Sequence, residues 1–226
     1  MNICVLGDSV ARGIVYDEIK HKYSSTKNSF SKIISNEKHL KIKNLAKFGC
    51  TVKKGSEILN NKFTSLSEYS YTFLEFGGND CDFIWPEIAD NPSKVHLSNV
   101  PTDKFQEYYE AMIKKIKELG STPVILTLPP IDSKRFFNWS SKGLNKKNIM
   151  EFLGNDVDFI YRWHETYNKA IINLATKTNT PIIDIRKAFL SSENYSNYLC
   201  IDGIHPNEKG HKLIADTILS TAGSYI

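Results

Sequence analysis

The sequence has few of the features that mark membrane, disulfide-bonded or nucleic-acid-binding proteins. No apolar run approaches the roughly 18 residues that a membrane-spanning helix needs. Only four of the 29 basic residues are arginine, the side chain best suited to phosphate and base contacts, so we expect no nucleic-acid partner. The cysteines lie far apart and form no CxxC pair, so we expect free thiols. They are Cys4, Cys50, Cys81 and Cys200.

Other absences argue against secreted, membrane-associated and nucleotide-binding proteins. The sequence starts MNICVLGDSV, with neither a basic leader nor a cleavage site, so we expect no secretory signal, no stable membrane association and a cytoplasmic location. No P-loop or GxGxxG follows the first apolar run, which argues against nucleotide binding. What remains is an ordinary globular composition, with 41% hydrophobic and 24% charged residues and a formal charge of +4 that we interpret as surface solvation.

Short β-rich apolar runs alternate with stretches of helical periodicity. The predicted strands are Ile3–Leu6, Leu40–Leu45, Tyr71–Phe76, Pro123–Leu128 and Pro181–Ile185. The predicted helices are Phe30–Lys38, Lys53–Asn60, Asp103–Leu119, Ile160–Thr178 and Asn207–Thr221. This alternation predicts a single three-layer α/β/α domain over residues 1–226, with about five parallel strands in the flavodoxin-like order 2-1-3-4-5. Ligands of such sheets bind beyond the carboxyl ends of the strands.

Two segments, at about 81–102 and 131–159, interrupt the alternation after predicted strands. We therefore expect both to overhang the functional site. All three tryptophans fall within or just beyond these insertions: Trp85, Trp139 and Trp163. Their rings either anchor the loops by packing against the rest of the domain or form a wall of the substrate pocket. Arg135 and Arg162 flank the second insertion and are expected to meet either an anionic substrate group or acidic surface partners.

A turn with the sequence Gly7-Asp8-Ser9 directly follows the first predicted strand. Such a turn holds a serine hydroxyl at the carboxyl edge of the sheet, where the N-terminus of the next helix favours developing negative charge. A serine in this position would also serve as an ordinary N-cap. We expect Asp8 to cap the helix or to hydrogen-bond locally.

A second group, Asp202 and His205, precedes the last predicted helix. A spacing of three residues in a helical-type turn puts both side chains on one side. The carboxylate can then bind one imidazole nitrogen and leave the other free to act as a base, as in a Ser-His-Asp triad. For this pattern alone, the alternative is a capping aspartate and a surface histidine.

Two further turns offer donors for a negatively charged oxygen. After the third strand, in FGGND, paired glycines allow close backbone approach and Asn79 carries an amide donor. After the second strand, NLAKFG could supply a backbone N–H. Acyl transfer needs such donors because charge develops on the carbonyl oxygen. Asp80 and Asp82 would suit a metal, but we expect them to be solvated or bonded to backbone; His164 is expected to be structural or to line the pocket.

The order of the four motifs, GDSVARG, NLAKFG, GGND and DGIHPN, resembles the SGNH (GDSL-like) hydrolase family. The resemblance spans Gly7 to Asn207. It implies that Ser9 is the nucleophile, that His205 is the base and that Asp202 is the partner of His205.

The resemblance also implies an oxyanion hole and the absence of a cofactor. The hole is assigned to the Ser9 N–H, the Gly49 N–H and the Asn79 side-chain amide. Val10 stands in place of the leucine of the GDSL name, a common variation in the family. The family does not require a metal, and no His/Cys cluster in the sequence suggests one.

The implied reaction is two-step acyl transfer by a serine esterase acting on a small-molecule ester. Because the insertions bring Trp, Asn and Arg to the site, we expect a carbohydrate or another polar alcohol, as in a carbohydrate deacetylase. The alternatives are a lysophospholipase, an acyl-thioesterase, or an acyltransferase with the same triad. The candidate substrate-binding residues are Trp85, Trp139, Arg135 and Trp163.

Overall fold

Five parallel strands form the central sheet of the protein in a computed structural model that describes residues 1–222. The strands of the chain are β1 (Asn2–Gly7), β2 (Ile14–Asp17), β3 (Lys22–Ser25), β4 (Lys41–Asn44), β5 (Tyr71–Glu75), β6 (Thr122–Leu126) and β7 (Ile182–Ile183). The sheet has the spatial order β4-β1-β5-β6-β7, while β2 and β3 form a separate antiparallel pair. Counting only the sheet strands, this is the predicted order 2-1-3-4-5, which is confirmed.

Helices cover both faces of the sheet. They are α1 (Ser9–Arg12), α2 (Phe30–Lys38), α3 (Val52–Lys62), α4 (Gly78–Cys81), α5 (Trp85–Asp90), α6 (Thr102–Glu118), α7 (Ser133–Ser140), α8 (Lys146–Phe152), α9 (Phe159–Lys177), α10 (Ile185–Leu190) and α11 (Glu208–Ala222), with a 3₁₀ turn at Tyr195–Tyr198. Successive side chains of a strand point to opposite faces. Val5 therefore packs in one core, below α2 and α11, and Leu6 in the other, below α3, α6 and α9. The predicted three-layer architecture is confirmed.

Two predicted strands extend too far. The strand predicted over Pro123–Leu128 ends at Leu126. We expected a strand from Pro181 to Ile185, but β7 ends at Ile183 and Ile185 begins α10. The reason is the capping residue Asp184, whose side chain accepts a hydrogen bond from the Lys187 N–H. An N-cap of this kind starts a helix at once and so shortens the strand.

The hairpin of β2 and β3 was not predicted. Its strands are four residues long, and Tyr16 lies opposite Tyr23 in the register. Asp17 Oδ1 accepts the N–H groups of Ile19 and Lys20 at 3.0 and 2.9 Å, and His21 adopts a positive φ of 48°. This local aspartate turn replaces the glycine that marks most tight hairpins.

Residues of the two expected insertions pack together in a third apolar cluster. Trp85 and Ile88 come from the first segment, and Phe136 and Ile149 come from the second. Helices α5 and α8 contact each other, which joins the segments across the edge of the sheet. Within residues 1–222, no helix is both long and apolar enough to cross a bilayer.

Candidate active site

Ser9, His205 and Asp202 form a continuous chain of hydrogen bonds. Ser9 begins α1 immediately after β1, and its Oγ lies 2.9 Å from His205 Nε2. The other ring nitrogen, Nδ1, lies 2.7 Å from Asp202 Oδ2. All three residues are buried. The arrangement leaves Nε2 available to take a proton from the hydroxyl, because Nδ1 is held by the carboxylate.

The turn before α11 holds Asp202 in its ionised form. Asp202 Oδ1 accepts the backbone N–H groups of Ile204 and His205, both at 3.1 Å. Burial by itself would raise the pKa of Asp202. The hydrogen bonds from His205 and Ile204 and the charge of His205 outweigh it, so that the pKa is lower than usual. Asp202 is therefore an acceptor at neutral pH, which orients the imidazole.

Two aromatic residues missed by the sequence analysis pack against His205. The Tyr23 hydroxyl donates to Asp202 Oδ2 at 3.0 Å, and its ring centroid lies 5.1 Å from that of His205. The Phe48 ring stacks on His205 at 6.0 Å with an interplanar angle of 10°. Two features of the sequence could have indicated these residues. Tyr16 and Tyr23 stand on either side of the turn that begins at Asp17, and Phe48 directly precedes Gly49 in NLAKFG.

The candidate oxyanion donors have unused N–H groups. Within residues 1–222, the backbone N–H groups of Ser9 and Gly49 make no hydrogen bond. Asn79 Nδ2 donates to Asp8 Oδ2 at 3.1 Å, which leaves the second N–H of the amide. Gly49 has a φ of +67°, a conformation that glycine adopts without strain. Ser9 and Asn79 line one cavity together with Phe48, the neighbour of Gly49.

A pair of buried carboxyl groups lies beneath the N-terminus of α1. Asp8 Oδ1 accepts the Val10 N–H at 2.8 Å, as expected for a local cap, and Glu75 Oε2 accepts the Ala11 N–H at 3.1 Å. Burial raises the pKa of Glu75 well above its usual value, and the adjacent Asp8 charge raises it further. We assign the shared proton to Glu75. Asp8 is then the acceptor that orients the amide of Asn79.

Asp80 is buried and Asp82 is half-buried, and both accept backbone N–H groups, which is one of the two expectations for them. Asp80 Oδ1 accepts the Val52 N–H at 2.9 Å, and Asp82 Oδ1 accepts the N–H of Phe83 and the Trp85 Nε1–H, both at 2.9 Å. Burial raises the pKa of Asp80 to about 7 and that of Asp82 to about 6. In the part of the chain that the structure describes, no cluster of three or more His, Cys, Asp or Glu side chains is arranged to hold a metal.

The proposed nucleophile opens into a cavity of about 320 Å³. Aromatic side chains form much of its wall: Tyr23, Phe48, Trp85, Phe136 and Trp139. Trp139 also packs on Tyr16 of the hairpin, with ring centroids 4.6 Å apart. Trp85 and Trp139 thus lie where a substrate-binding role was expected of them. A volume of this size is at the low end for small-molecule sites.

Two other candidate substrate-binding residues do not line this cavity. Arg135 donates to the Ser196 carbonyl at 2.8 Å and pairs with Asp132 at 3.4 Å, so its charge already has partners within the protein. Trp163 lies behind the cavity, where its Nε1–H donates to the Cys81 carbonyl at 2.7 Å. These contacts match the alternatives considered for them, an acidic partner for Arg135 and a packing role for the Trp163 ring. Arg162 forms the surface pair considered for it, with Asp156 at 2.8 Å.

Cys4, Cys50, Cys81 and Cys200 are free and buried, as expected. Burial raises the pKa of Cys50 and of Cys200 to about 11. Since the thiolate is the reactive form, we expect Cys50 and Cys200 to react only slowly at neutral pH.

The known proteins that this chain resembles are named as esterases, lipases and acylhydrolases. The model of the GDSL-like Lipase/Acylhydrolase family matches residues 5–213. GDSL esterase/lipase WDL1 of rice (Oryza sativa subsp. japonica) is 22% identical over 155 residues, which cover 66% of this chain and 52% of that protein. The matched region is thus about half the length of the rice relative.

Solved structures resemble the chain over nearly its whole length. The lipase/acylhydrolase from Enterococcus faecalis aligns with a TM-score of 0.69 and 20% identity, covering 99% of this chain and 96% of that one. Axe2, an acetylxylan esterase from Geobacillus stearothermophilus, aligns with a TM-score of 0.68 and 15% identity, covering 98% and 94%. At these identities the likeness shows the fold.

Proposed function

The chain belongs to the GDSL-like Lipase/Acylhydrolase family, and on this basis we propose that it is a serine esterase that hydrolyses a small acyl ester. The observation that carries the proposal is the hydrogen-bonded chain from Ser9 Oγ through His205 to Asp202, at 2.9 and 2.7 Å. The unused N–H groups of Ser9 and Gly49 support it, because an acyl-transfer site needs donors for the oxyanion.

The proposed reaction has two steps. In the first, His205 Nε2 takes the Ser9 proton while Oγ attacks the ester carbonyl, and the Ser9, Gly49 and Asn79 N–H groups stabilise the oxyanion. The tetrahedral intermediate collapses, the carbon–oxygen bond to the alcohol breaks, and His205 gives its proton to the leaving alcohol. In the second step, His205 takes a proton from water, which attacks the carbonyl carbon of the acyl-enzyme. The bond from that carbon to Ser9 Oγ then breaks, and His205 returns the proton to Oγ, which releases the acid and free Ser9.

The walls of the cavity favour a short acyl group on a polar alcohol. A cavity of about 320 Å³ with aromatic walls accommodates a small ester. Aromatic rings also pack well on sugar-like rings, and Asn79 and Asp82 add polar groups to the same walls. A carbohydrate deacetylase is therefore the form of the activity that we favour. A lysophospholipase, an acyl-thioesterase and an acyltransferase with the same three residues are the alternatives.

The central test is hydrolysis of p-nitrophenyl acetate by the wild type and by Ser9→Ala. We expect the variant to lose about 10⁴-fold or more in kcat, and His205→Ala to lose a similar factor, because triad members act as a unit. Ser93→Ala, which changes an exposed serine in the first insertion, is the matched control and should keep wild-type activity. Equal rates for wild type and Ser9→Ala would refute the proposal.

Two further measurements locate the nucleophile and the substrate class. A fluorophosphonate should label the wild type at Ser9 and should leave Ser9→Ala unlabelled. A series of p-nitrophenyl esters from acetate to laurate, run beside acetylated sugars, should peak at acetate and release acetate from the sugars. A peak at eight carbons or more would instead indicate a lipase-like activity, and acyl transfer to an added sugar without release of acid would indicate a transferase.

A further inference from the structure

His164 and Arg186 form a buried pair behind the cavity. The side chains come from α9 and α10, and the two residues are 4% and 3% exposed. Arg186 Nη1 lies 3.4 Å from His164 Nδ1 and 3.3 Å from the Pro129 carbonyl oxygen, and the guanidinium lies over the Tyr161 ring at 4.8 Å. Within residues 1–222 no carboxylate pairs with this guanidinium, and its Nε and Nη2 have no hydrogen-bond partner. The positive charge of Arg186 is therefore not neutralised by an ion pair in this part of the chain.

The contact with Arg186 determines the tautomer of His164. A guanidinium carries only donors and does not lose its proton, so the His164 Nδ1 that faces it must be the acceptor. The proton of the neutral ring is then on Nε2. Burial, followed by the charge of Arg186, lowers the pKa of His164 to about 3, so the ring stays neutral at ordinary pH. His164 is therefore held as a donor that does not change with pH.

This donor belongs to the wall of the proposed active-site cavity. His164 lines the cavity that also contains Ser9 and His205. Within the described residues, His164 Nε2 has no acceptor. The two ring nitrogens of His211 are fully enclosed by protein, whereas His164 Nε2 is not. A buried N–H without an acceptor costs free energy unless a ligand or water accepts from it. The site is thus built to meet an acceptor that enters the cavity.

An acceptor group lies in the same walls. Asp82 lines the cavity with His164, and both residues also line a smaller pocket of about 20 Å³. Asp82 Oδ1 is occupied by Phe83 and Trp85, whereas its Oδ2 makes no hydrogen bond within residues 1–222. A donor and an acceptor in one wall match a hydroxyl group, which accepts and donates at once. The surrounding wall is apolar, with Trp85, Phe136 and Ile204.

We propose that His164 and Asp82 form a subsite for a hydroxyl group of the substrate, beyond the reacting ester, and that Arg186 is the positioning residue that fixes the His164 tautomer. The inference rests on the proposed esterase function and narrows it to esters of polyols or carbohydrates.

The kinetic test uses two esters that differ by one hydroxyl: the monoacetate of trans-cyclohexane-1,2-diol and cyclohexyl acetate. The measured quantity is the ratio of their kcat/KM values. His164→Phe keeps an aromatic ring but removes the donor, and we expect it to lower this ratio about 10-fold, mainly through KM for the hydroxylated ester. His96→Phe, a histidine outside the cavity, should keep the wild-type ratio. An unchanged ratio in His164→Phe would overturn the proposal.

The spectroscopic test does not depend on catalysis or on a folded variant. Long-range ¹H–¹⁵N NMR of the wild type should show His164 as the neutral Nε2–H tautomer, without titration from pH 5 to 8. Adding trans-cyclohexane-1,2-diol should shift its Nε2 signal, and adding cyclohexanol should shift it much less. An Nδ1–H tautomer, titration near pH 6.5, or equal shifts with both alcohols would contradict the subsite. Retained activity in Ser9→Ala would instead refute the esterase mechanism, so the two failures are distinguishable.

Discussion

Replacing Tyr23 with Phe removes one hydroxyl from the site and keeps the ring. The hydroxyl donates to Asp202 Oδ2 at 3.0 Å, the same oxygen that lies 2.7 Å from His205 Nδ1. Burial and the Asp202 charge raise the pKa of Tyr23 far above its usual value, so it remains a donor throughout the working pH range. The substitution therefore removes one hydrogen bond to a charged acceptor and leaves the ring packing on His205 in place.

The stability lost in Tyr23→Phe depends on the hydrogen bonds that Asp202 still accepts. A hydrogen bond to a charged group contributes about 1.5–3 kcal/mol. Asp202 retains its bonds to His205 and to the two backbone N–H groups, so we expect a loss around or below the lower end of that range, about 1–2 kcal/mol. For a domain of this length that lowers Tm by about 2–8 °C. We expect kcat to fall by about 10-fold or less, compared with about 10⁴-fold for Asp202→Ala.

Thermal unfolding and p-nitrophenyl acetate kinetics measure both quantities. Tyr16→Phe is the matched control, because Tyr16 lies opposite Tyr23 in the hairpin and its hydroxyl makes no hydrogen bond within residues 1–222. Its Tm should stay within about 1 °C of the wild type, since it removes no bond. If Tyr23→Phe is as stable as Tyr16→Phe, the hydroxyl does not stabilise the fold. If its activity falls as far as that of Asp202→Ala, Tyr23 does more than support the carboxylate.

Two more predictions concern buried titratable groups. The folded-state pKa of Asp80 is about 7, above the value near 4 expected in the unfolded chain. Because the folded protein holds the proton more tightly, protonation of Asp80 stabilises the fold. This stabilisation is complete below about pH 4 and is lost as the pH rises through 7. Urea unfolding should therefore show Asp80→Asn reducing the stability difference between pH 5 and pH 8 by about 3 kcal/mol; parallel pH profiles for the two proteins would contradict this. Because burial raises the pKa of Cys50 and Cys200 to about 11, iodoacetamide at pH 7.5 should leave the esterase activity unchanged and should modify these thiols only in urea, as mass spectrometry would show. Rapid inactivation of the folded enzyme would indicate an accessible thiol near the site.

The order of the sheet and the family could be predicted from the sequence because their signals are local. A buried parallel strand is a short apolar run, and it recurs at each predicted position within a few residues. Ser9, Asn79 and His205 follow the ends of such runs or precede the last helix. Because the carboxyl ends of parallel strands meet at one edge of the sheet, the sequence alone predicts that these side chains lie near one another.

The surroundings of the site depend on contacts between residues distant in the chain. Tyr23 reaches Asp202 across 179 positions, and the Asp17 turn that brings it there carries no glycine to announce a hairpin. Arg135 and Trp163 were expected in the cavity, but partners outside it hold both.

The sequence by itself thus determined the strand order, the family and the residues offered for acyl transfer, because periodicity and turn chemistry act over a few neighbouring residues. Only the tertiary structure decided which of the insertion side chains face the cavity and which donor His164 presents to it. Burial and pairing of this kind arise when remote segments pack together, since a side chain's exposure and hydrogen-bond partners are properties of the packed arrangement.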